Sequence, residues 1–323
     1  MVFAQVTSGL KEVIALGIAE MEKFVQLVQR MEPRSKLLRV WPLHGGVSAE
    51  VTALELSRLD GSTCKLIVRR HGEADRRNNP QIAADEFELL QVLQTAGVAA
   101  PRPRYLDQSC KLWPTPYLVV EYIAGMTEFA PTDLDDYVRQ MAEQLARVHA
   151  VDIRDLGFLP TQVGRVSAGF AAQLAQSAEQ RHAWEMLQAG YPPVLRNSTV
   201  LLHGDYWPGN LLWQEGELTG VIDWEDAKLG DPLADLANTR LEVLWAFGQQ
   251  AMADFTALYC SLTAVDCSQL PWWDLWVALR AAPKLSGWGL PAPMAKKMRD
   301  LLEQFIRRHP PNSRYLSGEG LGH

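Results

Sequence analysis

The chain has 323 residues, 47% of them hydrophobic, which suffices for a packed core and, at roughly 150 residues per domain, points to about two domains. Its 31 Lys and Arg against 38 Asp and Glu give a net charge of −7, which argues against nucleic acid or an anionic membrane as main partner and fits a neutral or cationic small molecule. No run of roughly 18 apolar residues occurs, so no membrane span is expected; with no Cys-x-x-Cys pair, Cys64, Cys110, Cys260 and Cys267 read as reduced thiols of a cytoplasmic protein.

In chain order, residues 8–31 carry helical spacing, with Leu10, Ile14, Ile18, Met21, Phe24, Val25, Val28 and Met31 on one face and Pro33 as the stop. Every later motif lies downstream of Met21, so a chain starting there is expected to fold and keep activity. Three strand-like runs follow, Leu37–Leu43, Val51–Leu59 and Cys64–Arg70, with Asp60-Gly61 as a hairpin signal between the second and third. His44-Gly45-Gly46-Val47-Ser48 joins the first two. Alone it reads as an ordinary turn, but glycines between antiparallel strands also let backbone N–H groups approach phosphates. Arg69 and Arg70 end the third run, and strand alternation sends one inward and the other outward.

Residues 81–97 read as a helix ending at Gly97, with Glu86 among its acids. Pro101 and Pro103 mark a loop. A strand from Pro116 to Tyr122 leads into Ile123-Ala124-Gly125. A long helix covers Pro131 to Val151, where His149 reads as a hydrogen-bonded structural histidine. Further helices are expected at 167–189, 233–248, 250–263, 271–282 and 293–308. Gly287-Trp288-Gly289-Leu290-Pro291-Ala292 fits Gly-x-Gly-x-x-Ala, but it follows a helix and contains Pro291, so a dinucleotide site is rejected. Trp272, Trp273 and Trp276 lie at helical spacing; the reading is core packing, with an aromatic wall for an acceptor as the alternative.

The densest signal is Leu201-Leu-His-Gly-Asp-Tyr-Trp-Pro-Gly-Asn-Leu-Leu-Trp213, followed by Gly220-Val-Ile-Asp223. Short apolar runs at 199–202, 211–213 and 218–222 read as buried strands. They set His203, Asp205, Asn210 and Asp223 at strand edges. Two carboxylates and a carboxamide there suit phosphoryl transfer, which needs a group to receive a hydroxyl proton and oxygen ligands for a metal.

His-x-Asp, four residues and Asn is the catalytic-loop pattern of protein kinases, with Gly204 in place of the usual Arg. His-Gly-Asp-x4-Asn followed by Ile222-Asp223-Trp224-Glu225, Gly230-Asp231-Pro232 and Asp235-Leu236 resembles the aminoglycoside phosphotransferase and choline kinase family. The resemblance spans roughly residues 37–240. It implies an α+β, two-lobe protein-kinase-like fold: a small antiparallel-sheet lobe over residues 1–122 and a larger, mainly helical lobe over 123–323. It implies that Asp205 is the catalytic group, that Asn210 and Asp223 hold Mg²⁺, and that His203 supports the loop. ATP would meet Gly45, Gly46 and Ser48, then Arg69 with Glu86 as its helix partner, and the Glu121 carbonyl and Ile123 N–H at the adenine. The family usually carries Ser-Asn where this chain has Ser48-Ala49. Asp231 and Asp235 are expected to cap and brace the next helix, and the helices after residue 240 to form the acceptor pocket.

The expected activity is ATP-dependent phosphorylation of a hydroxyl on a small molecule. A nucleotide-binding protein without transferase activity and a protein kinase are the alternatives. The filled catalytic positions speak against the first, and the lack of an Ala-Pro-Glu segment after Asp223 against the second.

Overall fold

The computed structural model describes residues 17–43, 49–162, 177–189 and 196–309. The turn holding Gly45, Gly46 and Ser48 lies outside them, as do the first part of the 8–31 helix and residues 167–176. The chain divides into two compact units, Met1–Ala124 with Gly220–Glu225, and Gly125–Thr219 with Asp226–His323.

The first unit is built on a five-stranded antiparallel sheet. β1 (Lys36–Leu43), β2 (Ala49–Ser57), β3 (Thr63–His71), β4 (Pro103–Asp107) and β5 (Tyr117–Glu121) lie in the order β1-β2-β3-β5-β4. The β2–β3 hairpin turns as its Asp-Gly predicts: Gly61 has φ 80°, and Arg58 N–H donates to Ser62 O at 2.8 Å. Helix α1 (Ile18–Met31) buries Phe24, Leu27 and Val28 in one core with Val40, Leu54, Leu56, Leu66, Val68, Trp113, Tyr117 and Val119. Period-2 alternation explains the strand members: Leu54 and Leu56 on β2, like Leu66 and Val68 on β3, share a face.

Helix α3 (Ile82–Thr95) buries Ile82, Glu86, Leu89, Leu90 and Leu93. A short helix α2 (Glu73–Asn78) precedes it, which the sequence reading did not separate from the loop. Of the expected loop, Pro101 lies before the strand as read, while Pro103 opens the edge strand β4. Proline is tolerated there because it opens a strand with only one neighbour. The segment Gly220–Glu225 is tied to this unit by the Val221 N–H, which donates to Ala99 O at 2.6 Å.

The second unit is mainly helical: α4 (Leu134–His149), α5 (Ala178–Ala189), α6 (Leu233–Phe247), α7 (Gln249–Leu262), α8 (Leu270–Ala281) and α9 (Ala292–Arg307). Asp133 caps α4, its side chain accepting from Asp136 N–H at 3.0 Å. β6 (Val200–Leu202) pairs with β9 (Lys228–Gly230), and β7 (Leu211–Gln214) with β8 (Glu217–Val221). The tryptophans of α8 are core: Trp273 is buried, packed edge-on against Trp272 and Trp276 at centroid distances of 5.1 and 5.5 Å. Gly287–Leu290 lies between α8 and α9, with no strand before it.

Candidate active site

The His203–Asn210 stretch runs from β6 to β7. Gly204 takes φ 84°, and a Cβ there would come 2.2 Å from Asp226 O. Only glycine fits, which accounts for its place where protein kinases carry Arg. The loop is then fixed from below by Asp235, a buried carboxylate in the first turn of α6. It accepts the His203 N–H at 2.7 Å and the Gly204 N–H at 3.0 Å. His149 Nε2 lies 3.3 Å from the same carboxylate, and its Nδ1 is 2.6 Å from the Tyr259 hydroxyl. Burial raises the Asp235 carboxyl, but bonds and charge from His149 and His203 outweigh it and hold the group below the ordinary range. Asp235 thus braces this loop, while Asp231 does the capping, accepting from Leu233 N–H at 2.9 Å. His149 has the structural role read from the sequence.

Asp205 is half-buried. Its N–H donates to His203 Nδ1 at 3.2 Å, so His203, fully buried, supports the turn from within. The Asn210 amide nitrogen donates to Asp205 O at 2.9 Å and to Asp205 Oδ2 at 3.0 Å. One carboxylate oxygen is therefore oriented by a neutral donor. The nitrogen of Asn210 is spent on Asp205, so its oxygen is the end a cation would take. Around Asp205 the second unit sets a mixed field. Burial and the Asp205 charge push the half-buried Glu242 up to about 8, so it holds its proton at neutral pH. The Arg280 guanidinium lies over the Trp276 ring at 4.4 Å, feeling Asp226 and Asp205.

In the first unit, β3 separates Arg69 from Arg70 as alternation requires. Arg70 points to the α1 side, over Trp113 at 5.0 Å and 3.4 Å from Glu20. Arg69 points the other way, to Glu86 of α3, with Nε 3.3 Å from Glu86 Oε2. Its Nη2 pairs with Asp223 and, at 2.6 Å, with Glu225. Three carboxylates around one guanidinium hold it protonated well above the ordinary arginine value, against the burial that opposes this. Glu86 is buried and also bonded to His71 Nε2 at 2.6 Å. Burial pushes its carboxyl up; Arg69 and His71 more than offset that and leave it lowered.

Asp223 itself has φ 70°, in the left-handed region that a non-glycine residue rarely adopts. The kink follows β8 and precedes the short turn Trp224–Asp226, pinned by Trp224 Nε1 to Val221 O at 2.9 Å. Strain at a carboxylate that a strand delivers is the pattern of a functional position.

Two partners of Arg69 and Glu86 escaped the sequence reading. Glu225 stands within Ile-Asp-Trp-Glu but carried no role. His71 is two residues after Arg69 on one strand, so alternation alone puts it on the same face. Glu121 and Ile123 end the sheet: Glu121 pairs with Leu66, its N–H donates to Arg102 O at 2.8 Å, and Ile123 lies beyond the ladder, half-buried. Among the described residues, no group of three or more His, Cys, Asp and Glu side chains is arranged to hold a metal ion. Asn210 in the second unit offers an amide oxygen and Asp223 in the first a carboxylate; each is a hard oxygen donor of the kind Mg²⁺ takes beside water and phosphate.

A five-stranded antiparallel sheet with two packed helices, α1 and α3, a helical second unit and a His-Gly-Asp loop braced from the next helix define a protein-kinase-like α+β protein. The profile of the Phosphotransferase enzyme family matches residues 40–266, and the chain belongs to that family. Among solved structures, the GDP and kanamycin complex of APH(2″)-IIIa shares 18% identity at a TM-score of 0.62, covering 88% of this chain and 98% of that one. The macrolide 2′-phosphotransferase MphH from Brachybacterium faecium shares 19% at a TM-score of 0.60, covering 90% and 99%. At these identities the likeness is one of fold. The rat acyl-CoA dehydrogenase family member 11 is 25% identical over 230 residues, 60% of this chain and 29% of the relative. The chain thus spans less than a third of the length of that relative. Protein YcbJ of Bacillus subtilis is 30% identical over 130 residues, 36% of this chain and 40% of that protein. Among the described residues no helix is long and apolar enough to cross a membrane.

Proposed function

We propose that the protein transfers the γ-phosphoryl group of ATP to a hydroxyl of a small molecule. The observation that carries this reading is Asp205: a carboxylate oriented by Asn210, on a loop whose backbone is held by the buried Asp235. Such a group receives the hydroxyl proton or aligns the nucleophile, and positioning is most of what phosphoryl transfer asks of a protein. Asn210 and Asp223 would supply oxygen ligands to Mg²⁺. When bound, that ion offsets the charge developing on the phosphate oxygens. Arg69 carries a fixed positive charge toward the nucleotide phosphates, and Glu86 with His71 fixes where it stands. Arg69 also holds Asp223 and Glu225, so it orients the carboxylate assigned to the metal. The Glu121 carbonyl and Ile123 N–H are assigned to adenine, and the turn at Gly45, Gly46 and Ser48 to the phosphates. Glu242 and Arg280, near Asp205, are assigned to the acceptor side.

The similar proteins name different chemistries: kanamycin and macrolides for the fold neighbours, acyl-CoA for the longer relatives. The test is ADP release from ATP and Mg²⁺ across a panel of amino sugars, macrolides and hydroxyacyl thioesters of coenzyme A. The expected result is acceptor-dependent ADP formation with one class and a phosphate ester on its hydroxyl. Tight ATP binding with no acceptor-dependent release across the panel would favour a nucleotide-binding protein without transfer.

A further inference from the structure

Outside the groups used above, the second unit brings two thiols together. Cys260 lies near the end of α7 (Gln249–Leu262), and Cys267 opens the short turn Cys267–Gln269 that leads into α8. Their sulfurs are 3.0 Å apart. Both residues are half-buried, so a small oxidant reaches them while bulk solvent does not surround them. The turn that presents Cys267 is pinned. Asn197 donates through Nδ2 to Asp266 O at 3.2 Å and accepts the Asp266 N–H at 2.7 Å. The Asp266 side chain accepts from Ser268 N–H at 2.8 Å. Because a disulfide bond is roughly 2.0 Å long, closure asks for only about 1 Å of approach by side chains already in contact.

We propose that Cys260 and Cys267 form a redox dithiol that hydrogen peroxide closes to an intramolecular disulfide. In the first step the Cys260 sulfur attacks one peroxide oxygen, the O–O bond breaks, and Cys260 becomes a sulfenic acid as one water leaves. In the second the Cys267 sulfur attacks the Cys260 sulfur, the S–O bond breaks, the S–S bond forms and a second water leaves. Two thiols lose two electrons and two protons, and one peroxide becomes two waters. Burial and the adjoining Cys260 sulfur push Cys267 up to about 12, so Cys267 is the poorer thiolate and acts second, giving up its proton as it attacks the adjacent Cys260 sulfur. The site has a structural connection to the catalytic loop. Tyr259, adjacent to Cys260, is bonded to His149, and His149 to the Asp235 that holds the His203 and Gly204 N–H groups. Cys64 in the first unit and Cys110 on the surface are internal controls.

The experiment uses the full chain, reduced, freed of reductant and treated with hydrogen peroxide. Remaining thiols are alkylated in denaturant. The protein is then cleaved before Asp266, which separates the two cysteines, and weighed without reduction. The expected result is loss of two of the four thiols and one peptide pair joined through Cys260 and Cys267. Four alkylated thiols, or pairing with Cys64 or Cys110, would overturn the proposal. In Cys267→Ser the resolving thiol is gone, so Cys260 should stop at the sulfenic acid and be trapped by dimedone. Cys260 left as an unmodified thiol in that variant would equally overturn it.

Discussion

Gly204 shows how a single residue sets the catalytic loop. Two constraints act on it, a left-handed backbone and the Asp226 carbonyl that fills the place of a side chain. Gly216 has the same φ, 84°, but open space around it. Gly216→Ala is therefore expected to cost only backbone strain, ~1–3 kcal/mol. Gly204→Ala should cost that and the displacement of the 226 backbone, and should also lower any turnover. Urea melts of both variants check this; equal losses would contradict the close contact. Glu86 makes the matching argument in the first unit. Its carboxyl is lowered in the folded chain, so its contribution to stability is present above the ordinary carboxylate value near 4.5 and is lost as pH falls through the lower folded value. Glu86→Gln removes the charge facing Arg69 and His71. It is expected to cost about 3 kcal/mol at pH 7, as for one broken buried pair, and to flatten the loss of stability below pH ~5. A variant that melts like the parent at pH 7 would show that Asp223 and Glu225 alone hold Arg69.

At the scale of elements, α1 bears on where the folded unit begins. The sequence reading expects a chain starting at Met21 to be unharmed. In the structure Glu20 accepts the Trp113 indole N–H at 2.6 Å and pairs with Lys23 and Arg70, contacts that such a chain would lack. A chain lacking residues 1–16 keeps Glu20 and is the reference for one lacking residues 1–20. Removing 1–20 should lower stability by about 1–3 kcal/mol, because the Trp113 indole N–H loses its acceptor. Equal melting of the two truncations would contradict the role of Glu20. The late helices and the strands β1 to β3 were legible because long apolar periodicity and an Asp-Gly turn are local signals. β4 was not, because two prolines outweigh a five-residue run whose place is set by its pairing with β5. β9, three residues long, exists only through its partner β6. In the candidate site the spacing His-Gly-Asp-x4-Asn marked the right loop. The support from Asp235 to the backbone of residues 203 and 204 was not readable, since it joins groups about 30 positions apart by a contact that no periodicity encodes.

For the whole molecule, the chain combines two units with distinct tasks. One fixes a charged group, Arg69, on a sheet against a buried acid. The other fixes a carboxylate, Asp205, on a braced loop, with Glu242 and Arg280 feeling its charge. The family assignment covers both, since the matched residues 40–266 run through the sheet and the loop alike. The assigned activity needs both charges, yet only Asp205 touches the acceptor hydroxyl in this account. The most direct measurement is therefore the rate of acceptor-dependent ADP formation by Asp205→Asn beside the parent, with nucleotide affinity measured on both proteins. The account expects the rate to fall by ~10²–10⁴, the contribution of a positioned base, while nucleotide affinity stays within a few-fold. An Asp205→Asn variant that turns over at the parent rate would contradict it.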